Sequence, residues 1–188
     1  MTNRNEIFEN ALNIFATYGY DGASVQQICD ASGITKPTLY HYFHSKRGLL
    51  DQILKETLTP FIYDFQAACA YNHDLPLSLE RVMRASFGFA GHNPVFYRLQ
   101  QTLRSAPPRS EGYASIKPWL ETQHRILETL FMAAVEDHGN LRGRSAAYSL
   151  SLLGVINAYI LTALDEGKIP SDAQLYQARQ QFMYGIFS

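Results

Sequence analysis

The sequence predicts an all-α fold of about nine helices, in which an N-terminal three-helix helix-turn-helix unit packs on a larger helical body. Three observations carry that prediction. Apolar residues recur at helical period almost end to end, and no segment alternates as a half-buried strand would. The interruptions are glycine- and proline-bearing breaks between helical patterns. Finally, 188 residues with 46% hydrophobic and 18% charged content are enough for one sizeable core, or for one core with a small subdomain attached.

The elements follow in order. Ile7, Phe8, Ala11, Leu12 and Phe15 form an apolar stripe that ends at Gly19, a residue suited to positive φ past a helix C-terminus. Ser24 starts a short helix, and Gln27 three residues later completes a capping box. Val25 and Ile28 point inward, and the helix stops near Ser32-Gly33. A second short helix follows Thr35, with Pro37 tolerated in its first turn. Ser45 caps a longer helix bearing Leu49, Leu50, Ile53, Leu54 and Leu58, which Pro60 is expected to kink or end. After a break at Asn72-His73-Asp74 and Pro76, helices are expected over Leu77 to Ala90, Pro94 to Arg104, Pro118 to Asp137, Gly143 to Glu166 and Ser171 to Phe187. Ser105 to Lys117, with Pro107-Pro108 and Gly112, reads as a mobile loop. The sequence holds neither internal repeats nor low-complexity tracts.

Composition narrows the function classes. The formal net charge is -1, so any nucleic-acid role must rest on a local patch. Cys29 and Cys69 are too few for a disulfide framework and read as reduced core thiols. No leader is evident, and the apolar run from Leu150 to Leu164 is interrupted by Ser151, Gly154, Asn157 and Thr162. A cytoplasmic protein with no membrane partner is the expectation. The histidines show no zinc spacing with the cysteines, and no nucleophile elbow, P-loop or dinucleotide fingerprint occurs. His41 and His44 read as solvent- or DNA-facing, and the acidic pairs Glu136-Asp137 and Asp165-Glu166 as solvated helix ends. No cofactor, metal or catalytic residue is expected, and a helical enzyme has the weakest support.

The chemistry concentrates in "SVQQICDASGITKPTLYHYFHSK", Ser24 to Lys46. Two short helices joined by a glycine turn read as a helix-turn-helix. A plain helical hairpin is the bland alternative. Ile28, Ile34 and Leu39 close a small core, and Cys29 lies where the helices cross. Leu39 and Phe43 take the buried face of the second helix, which leaves Lys36, Thr38, Tyr40, His41 and Tyr42 for solvent. Lys36 can reach guanine O6 or N7, and Thr38 a thymine methyl or a phosphate. Tyr40 and Tyr42 can bond phosphate oxygens while their rings pack on sugars. Helix N-termini at Ser24 and Ser45 offer free N–H groups to phosphates, with Lys46 and Arg47 beside the second.

This segment, with "IFENALNIFATYGYDGAS" before it, closely resembles the N-terminal domain of the TetR/AcrR family of bacterial transcriptional regulators, over roughly Ile7 to Leu54. The glycine-tyrosine turn, the Ser-Val start, the Gly-Ile turn, the Thr-Leu-Tyr core and the Ser-Lys cap fall at family spacing. The resemblance implies a homodimer that represses transcription at a double-stranded operator and leaves it when a small molecule binds. By matching position, Ser24, Gln26, Thr35, Lys36, Thr38, Tyr40, Tyr42 and Lys46 would contact DNA. It also implies a DNA-binding domain at residues 1–47 and a ligand-binding and dimerisation domain at 48–188. Two departures stand out. Cys29 replaces the usual alanine, and Arg47-Gly48 replaces the usual acidic pair.

The body is rich in aromatics, most of them expected as core. Phe65, Phe87, His92, Phe96, Trp119, Gln123 and Asn157 are the candidates to line an effector pocket, with His124 a further polar candidate. Ala146, Ala147, Gly154 and Ala158, with Leu175, Ala178, Phe182 and Gly185, look like half of a four-helix dimer interface through the two C-terminal helices. A cavity-side role for Gly154 is the alternative. A DNA-associated adaptor governed by a protein partner, with no small-molecule pocket, is the alternative function.

Overall fold

The computed structural model describes residues 4–185, and among these it holds nine α-helices, one 3₁₀ turn at Gly139–Leu141 and no strand. The helices are α1 Arg4–Gly22, α2 Val25–Ser32, α3 Lys36–Phe43, α4 Lys46–Ala68, α5 Leu75–His92, α6 Pro94–Arg104, α7 Glu111–Ala134, α8 Ser145–Asp165 and α9 Asp172–Tyr184. They pack as two units. The first takes the chain up to Thr59 together with Val95–Trp119, and the second takes Pro60–Pro94 and everything from Leu120 onward.

In the first unit, the small helices assemble as their apolar spacing requires. Ile7, Ala11 and Phe15 of α1, Ile28 and Cys29 of α2, Leu39 and Phe43 of α3, and Leu49, Leu50, Ile53 and Leu54 of α4 are all buried. Of the expected stripe, Phe8 and Leu12 are only half-buried, whereas Ile7, Ala11 and Phe15 point fully inward. Asn10 of α1 donates to Ala31 O at 3.1 Å and Ser32 Oγ at 3.2 Å, which holds α1 on the end of α2. Within the same unit, whose helices α1–α3 and start of α4 are called the head below, the Arg4 guanidinium pairs with Glu56 of α4. The Arg4 hydrogen bond holds the Glu56 carboxyl below the usual carboxylate range. Any stability from this exposed pair is therefore present above the ordinary carboxylate pKa and fades as pH falls through the lowered value.

In the second unit, α5, α8 and α9 pack against one another. Val82, Met83 and Phe87 of α5 meet a core that includes Leu152, Leu153, Ile156 and Ile160 of α8 and Leu175 of α9. Arg84 of α5 reaches Asp172 at 2.8 Å, and Glu80 pairs with Arg179, so ion pairs join α5 to α9 at two levels. Phe131, Tyr148 and Phe182 form a ring cluster with centroids 5.8–6.3 Å apart. Phe61 stacks on Phe89 at 4.2 Å. Burial pushes the Cys69 thiol up to about 12, which keeps it protonated and unreactive. By length and composition α8 passes for a membrane span, yet its inward face is core of this unit.

Several expectations need correction. Of the two effects expected of Pro60, ending the helix is ruled out, because α4 runs on to Ala68. α7 begins at Glu111, seven residues before Pro118, so the loop is only Ser105 to Ser110. The start signal is Ser110, whose Oγ accepts from Tyr113 N–H at 3.2 Å, and Pro118 forfeits one helical hydrogen bond within a helix of 24 residues. Leu175 and Ala178 are buried within the chain and are not available to a partner. Gly154 is exposed and a Cβ there would meet nothing within 4 Å, so no close approach inside this chain explains it. The end of the last expected helix, including Phe187, lies outside the described residues.

Candidate nucleic-acid interface

The caps that position the interface are built as the sequence spacing requires. Ser24 Oγ accepts from Gln27 N–H at 3.1 Å, and Gln27 Oε1 accepts from Ser24 N–H at 2.8 Å, a complete capping box. Gly33 then takes φ 63°, the left-handed conformation that ends α2. Thr35 caps α3, its Oγ1 accepting from Thr38 N–H at 3.4 Å and lying 2.9 Å from Thr38 Oγ1. Ser45 Oγ accepts from Gly48 N–H at 2.9 Å to start α4.

These caps fix which side chains α3 offers. Leu39 and Phe43 are buried, whereas Tyr40 and Tyr42 are 43% and 47% exposed. Lys36, also exposed, makes no hydrogen bond or ion pair among the described residues. His41 packs edge-on against Tyr42 at 5.6 Å. Gln26 on α2 is exposed and donates to Asp30 Oδ1 at 2.7 Å. The structure thus brings Gln26, Lys36, Tyr40 and Tyr42 to the surface, while Ser24, Thr35 and Thr38 engage one another or the backbone as caps.

Lys46 differs from its expected role. Its ammonium donates to Tyr20 O at 2.8 Å and Ala23 O at 3.0 Å, and it sits 4.2 Å from the centre of the Tyr20 ring. It therefore serves the carbonyls at the end of α1 and is held inside the head. The Tyr20 hydroxyl donates in turn to Glu111 Oε2 at 2.6 Å. Burial first, and then the Glu111 carboxylate, push the Tyr20 phenol well above its ordinary range.

The turn from α3 to α4 is unusually tight. His44 has φ 63° and ψ -35°, and Ser45 N–H donates to Phe43 O at 2.7 Å, two residues back. This is close to the rare, strained γ-turn. Gly48 permits it. A Cβ at that position would penetrate the Phe43 carbonyl oxygen and lie 3.3 Å from its carbon.

The expected effector residues do not converge as a set. Phe87 and His92 line an open groove of about 390 Å³ in the second unit, with Arg84, Gly91, Ile169 and Leu175. Phe65 is fully buried in the same unit, and Gln123 and Asn157 are half-buried there. Phe96 is buried and Trp119 half-buried in the first unit. Sequence reasoning overlooked Gln100 and Ser115 of the first unit, whose Oε1 and Oγ are buried without a hydrogen-bond partner among the described residues. A polar residue at an otherwise apolar helical position, as Gln100 is between Leu99 and Leu103, was the available signal.

Comparison with known proteins agrees with this geometry. The family profile described as bacterial regulatory proteins, tetR family, matches residues 7–53. The chain is 32% identical over 84 residues to the HTH-type transcriptional repressor KstR2 of Rhodococcus jostii, covering 45% of this chain and 41% of that protein. It is 29% identical over 96 residues to the HTH-type transcriptional activator FasR of Mycolicibacterium smegmatis, covering 51% and 44%. The matches thus span less than half the length of these curated relatives. Among solved structures, a Clostridium perfringens fatty acid metabolism regulator shares the fold at TM-score 0.84 and 20% identity, over 97% of this chain and 99% of that one. The regulator FadR of Bacillus subtilis, solved in complex with stearoyl-CoA, does so at TM-score 0.79 and 20% identity, over 98% and 100%.

Proposed function

We propose that the chain, whose residues 7–53 match the profile of the tetR family of bacterial regulatory proteins, is a sequence-specific DNA-binding repressor of that family, acting as a homodimer and released from its operator by a small molecule. The single observation that carries the reading is the face of α3. Lys36, Tyr40 and Tyr42 stand exposed on a helix whose start and end are capped and whose opposite side is core. Exposed tyrosines beside an unpaired lysine suit a phosphate backbone and base edges better than water. In the functional division, residues 1–47 read DNA and residues 48–188 bind effector and partner copy.

Lys36→Ala is expected to weaken operator binding by about 1–3 kcal/mol if Lys36 meets a guanine edge, with preference at one base position relaxed. Gel retardation of the wild type and variant on a selected operator checks this. Equal affinity and equal base preference would remove Lys36 from the interface.

Dimerisation is proposed through α8 and α9. Leu150, Gly154 and Ala158, spaced four residues apart, share one exposed face of α8, and Tyr176 and Tyr184 stand exposed on α9. With half of each interface on each copy, the two α3 helices would fall in successive major grooves about 34–36 Å apart. Leu150→Glu is expected to give a monomer in sedimentation and to lose most operator affinity. A variant that sediments as the wild type does would place the interface elsewhere.

For the effector, we propose a compound with a long apolar chain and a polar head. Within the second unit, its stacked rings support the apolar part, and Arg84 and His92 of its open groove support the polar part. The fatty-acid regulators of the same fold make stearoyl-CoA the first compound to titrate against the operator complex.

A further inference from the structure

We propose that Glu111, at the start of α7, is a positioning residue for DNA recognition. Through Tyr20 and Lys46 it holds the start of α4 and so sets the angle of α3. The proposal rests on the DNA-binding reading above and deepens it.

The chain of contacts lies wholly within the first unit. Glu111 Oε2 accepts the Tyr20 hydroxyl at 2.6 Å. The Tyr20 ring, only 4% exposed, presents its face to the Lys46 ammonium at 4.2 Å. Lys46 donates to Tyr20 O and Ala23 O, so it is bound to both the ring and the backbone of the α1–α2 turn. It is also the first residue of α4, two positions past the strained His44 that ends α3. A movement of Glu111 therefore reaches the recognition helix through two side chains and one short turn.

A second feature holds α7 to the same place. A Cβ on Gly112 would meet the movable Leu103 Cδ2 at 2.9 Å and Tyr20 Cβ at 3.5 Å, an ordinary contact distance, so α7 packs directly against Tyr20. The rest of the joint is not filled. An open groove of about 580 Å³, lined by Tyr18, Tyr20, Gly22, Gln101, Ser105 and Gly112, runs beside it. Where the groove leaves the joint open, the Tyr20–Glu111 hydrogen bond is the polar tie that holds α7 to the α1–α2 turn. A tie of this kind decides how tightly the spacing of two reading heads is defined, because a head on a loosened joint can follow a displaced half-site.

The test uses the full chain, its selected operator, and the same operator with one base pair inserted between the half-sites. The wild type is expected to prefer the natural spacing. Tyr20→Phe and Glu111→Ala are expected to reduce that preference by about 5-fold or more. Glu111→Gln, whose amide oxygen still accepts from the phenol, is expected to restore it. The slope of affinity against salt should stay that of the wild type in all three, because no phosphate contact is removed. Thermal melts confirm folding, and the exposed Glu111 keeps the test available should Tyr20→Phe unfold. An unchanged spacing preference in Glu111→Ala, with the wild type discriminating, would overturn the proposal. A wild type that binds no duplex would overturn it differently, by removing the DNA-binding reading beneath it.

Discussion

Gly48→Ala is expected to unseat the recognition helix. In an ordinary first turn of a helix, replacing glycine by alanine gains up to about 1 kcal/mol. Here the new methyl has nowhere to go, since it would overlap the Phe43 carbonyl, which closes the turn onto Ser45 N–H at 2.7 Å. The obstacle is backbone, not a movable side-chain end, so the turn must open. Overpacking of this kind costs about 1–3 kcal/mol and outweighs the propensity gain. Phe43 is core, so shifting its carbonyl also drags the buried face of α3. The expected result is a lower melting temperature and at least about a tenfold loss of operator affinity, the equivalent of 1.4 kcal/mol. A second change sharpens the test. His44 holds a left-handed φ that costs a non-glycine residue about 1–2 kcal/mol. His44→Gly alone should therefore stabilise the head, and should soften the effect of Gly48→Ala by giving the turn room. A Gly48→Ala protein as stable as the wild type and equally good on DNA would show that the turn is looser than described.

The second large effect is at Lys46. Lys46→Met keeps the stem and removes the ammonium that serves Tyr20 O and Ala23 O. Hydrogen bonds involving a charged group contribute roughly 1.5–3 kcal/mol, and the cation over the Tyr20 ring adds to that. Stability should fall by about that amount, visible as a drop of several degrees in a thermal melt. Lys46→Arg should recover only part of it, because a planar fork does not place its donors as an ammonium does. The salt dependence of operator binding separates the two roles this lysine can have. If it works within the head, the slope in Lys46→Met stays that of the wild type, whereas loss of a phosphate contact lowers it by about 1. A lowered slope with an unchanged melting temperature would return Lys46 to the DNA surface.

What could be read from the sequence follows the range of the forces involved. Caps are local, so Ser24 with Gln27, Thr35 and Ser45 were legible from neighbours three residues apart. The buried pair Leu39 and Phe43 was legible for the same reason, since one helical turn separates them. α7 was misplaced because a glycine and two prolines obscured a serine cap, and Pro118 looked like a beginning when it lies inside. The partners of Lys46 were out of reach. They are backbone carbonyls more than twenty residues away, and backbone atoms carry no sequence signature. Gly48 was legible as a departure from family pattern, but its reason, a carbonyl folded back against it, needed coordinates. The same holds for the α9 residues Leu175 and Ala178. Their apolar character marks them for burial without saying whether the cover is this chain or another copy.

The central claim is that the exposed face of α3 reads duplex DNA. Selection of bound fragments from the source genome by the purified chain, run beside Lys36→Ala, tests it most directly. The wild type is expected to enrich a short inverted repeat, and the variant to enrich it weakly or with one base position relaxed. Fragments recovered equally by both proteins, with no shared sequence, would contradict it.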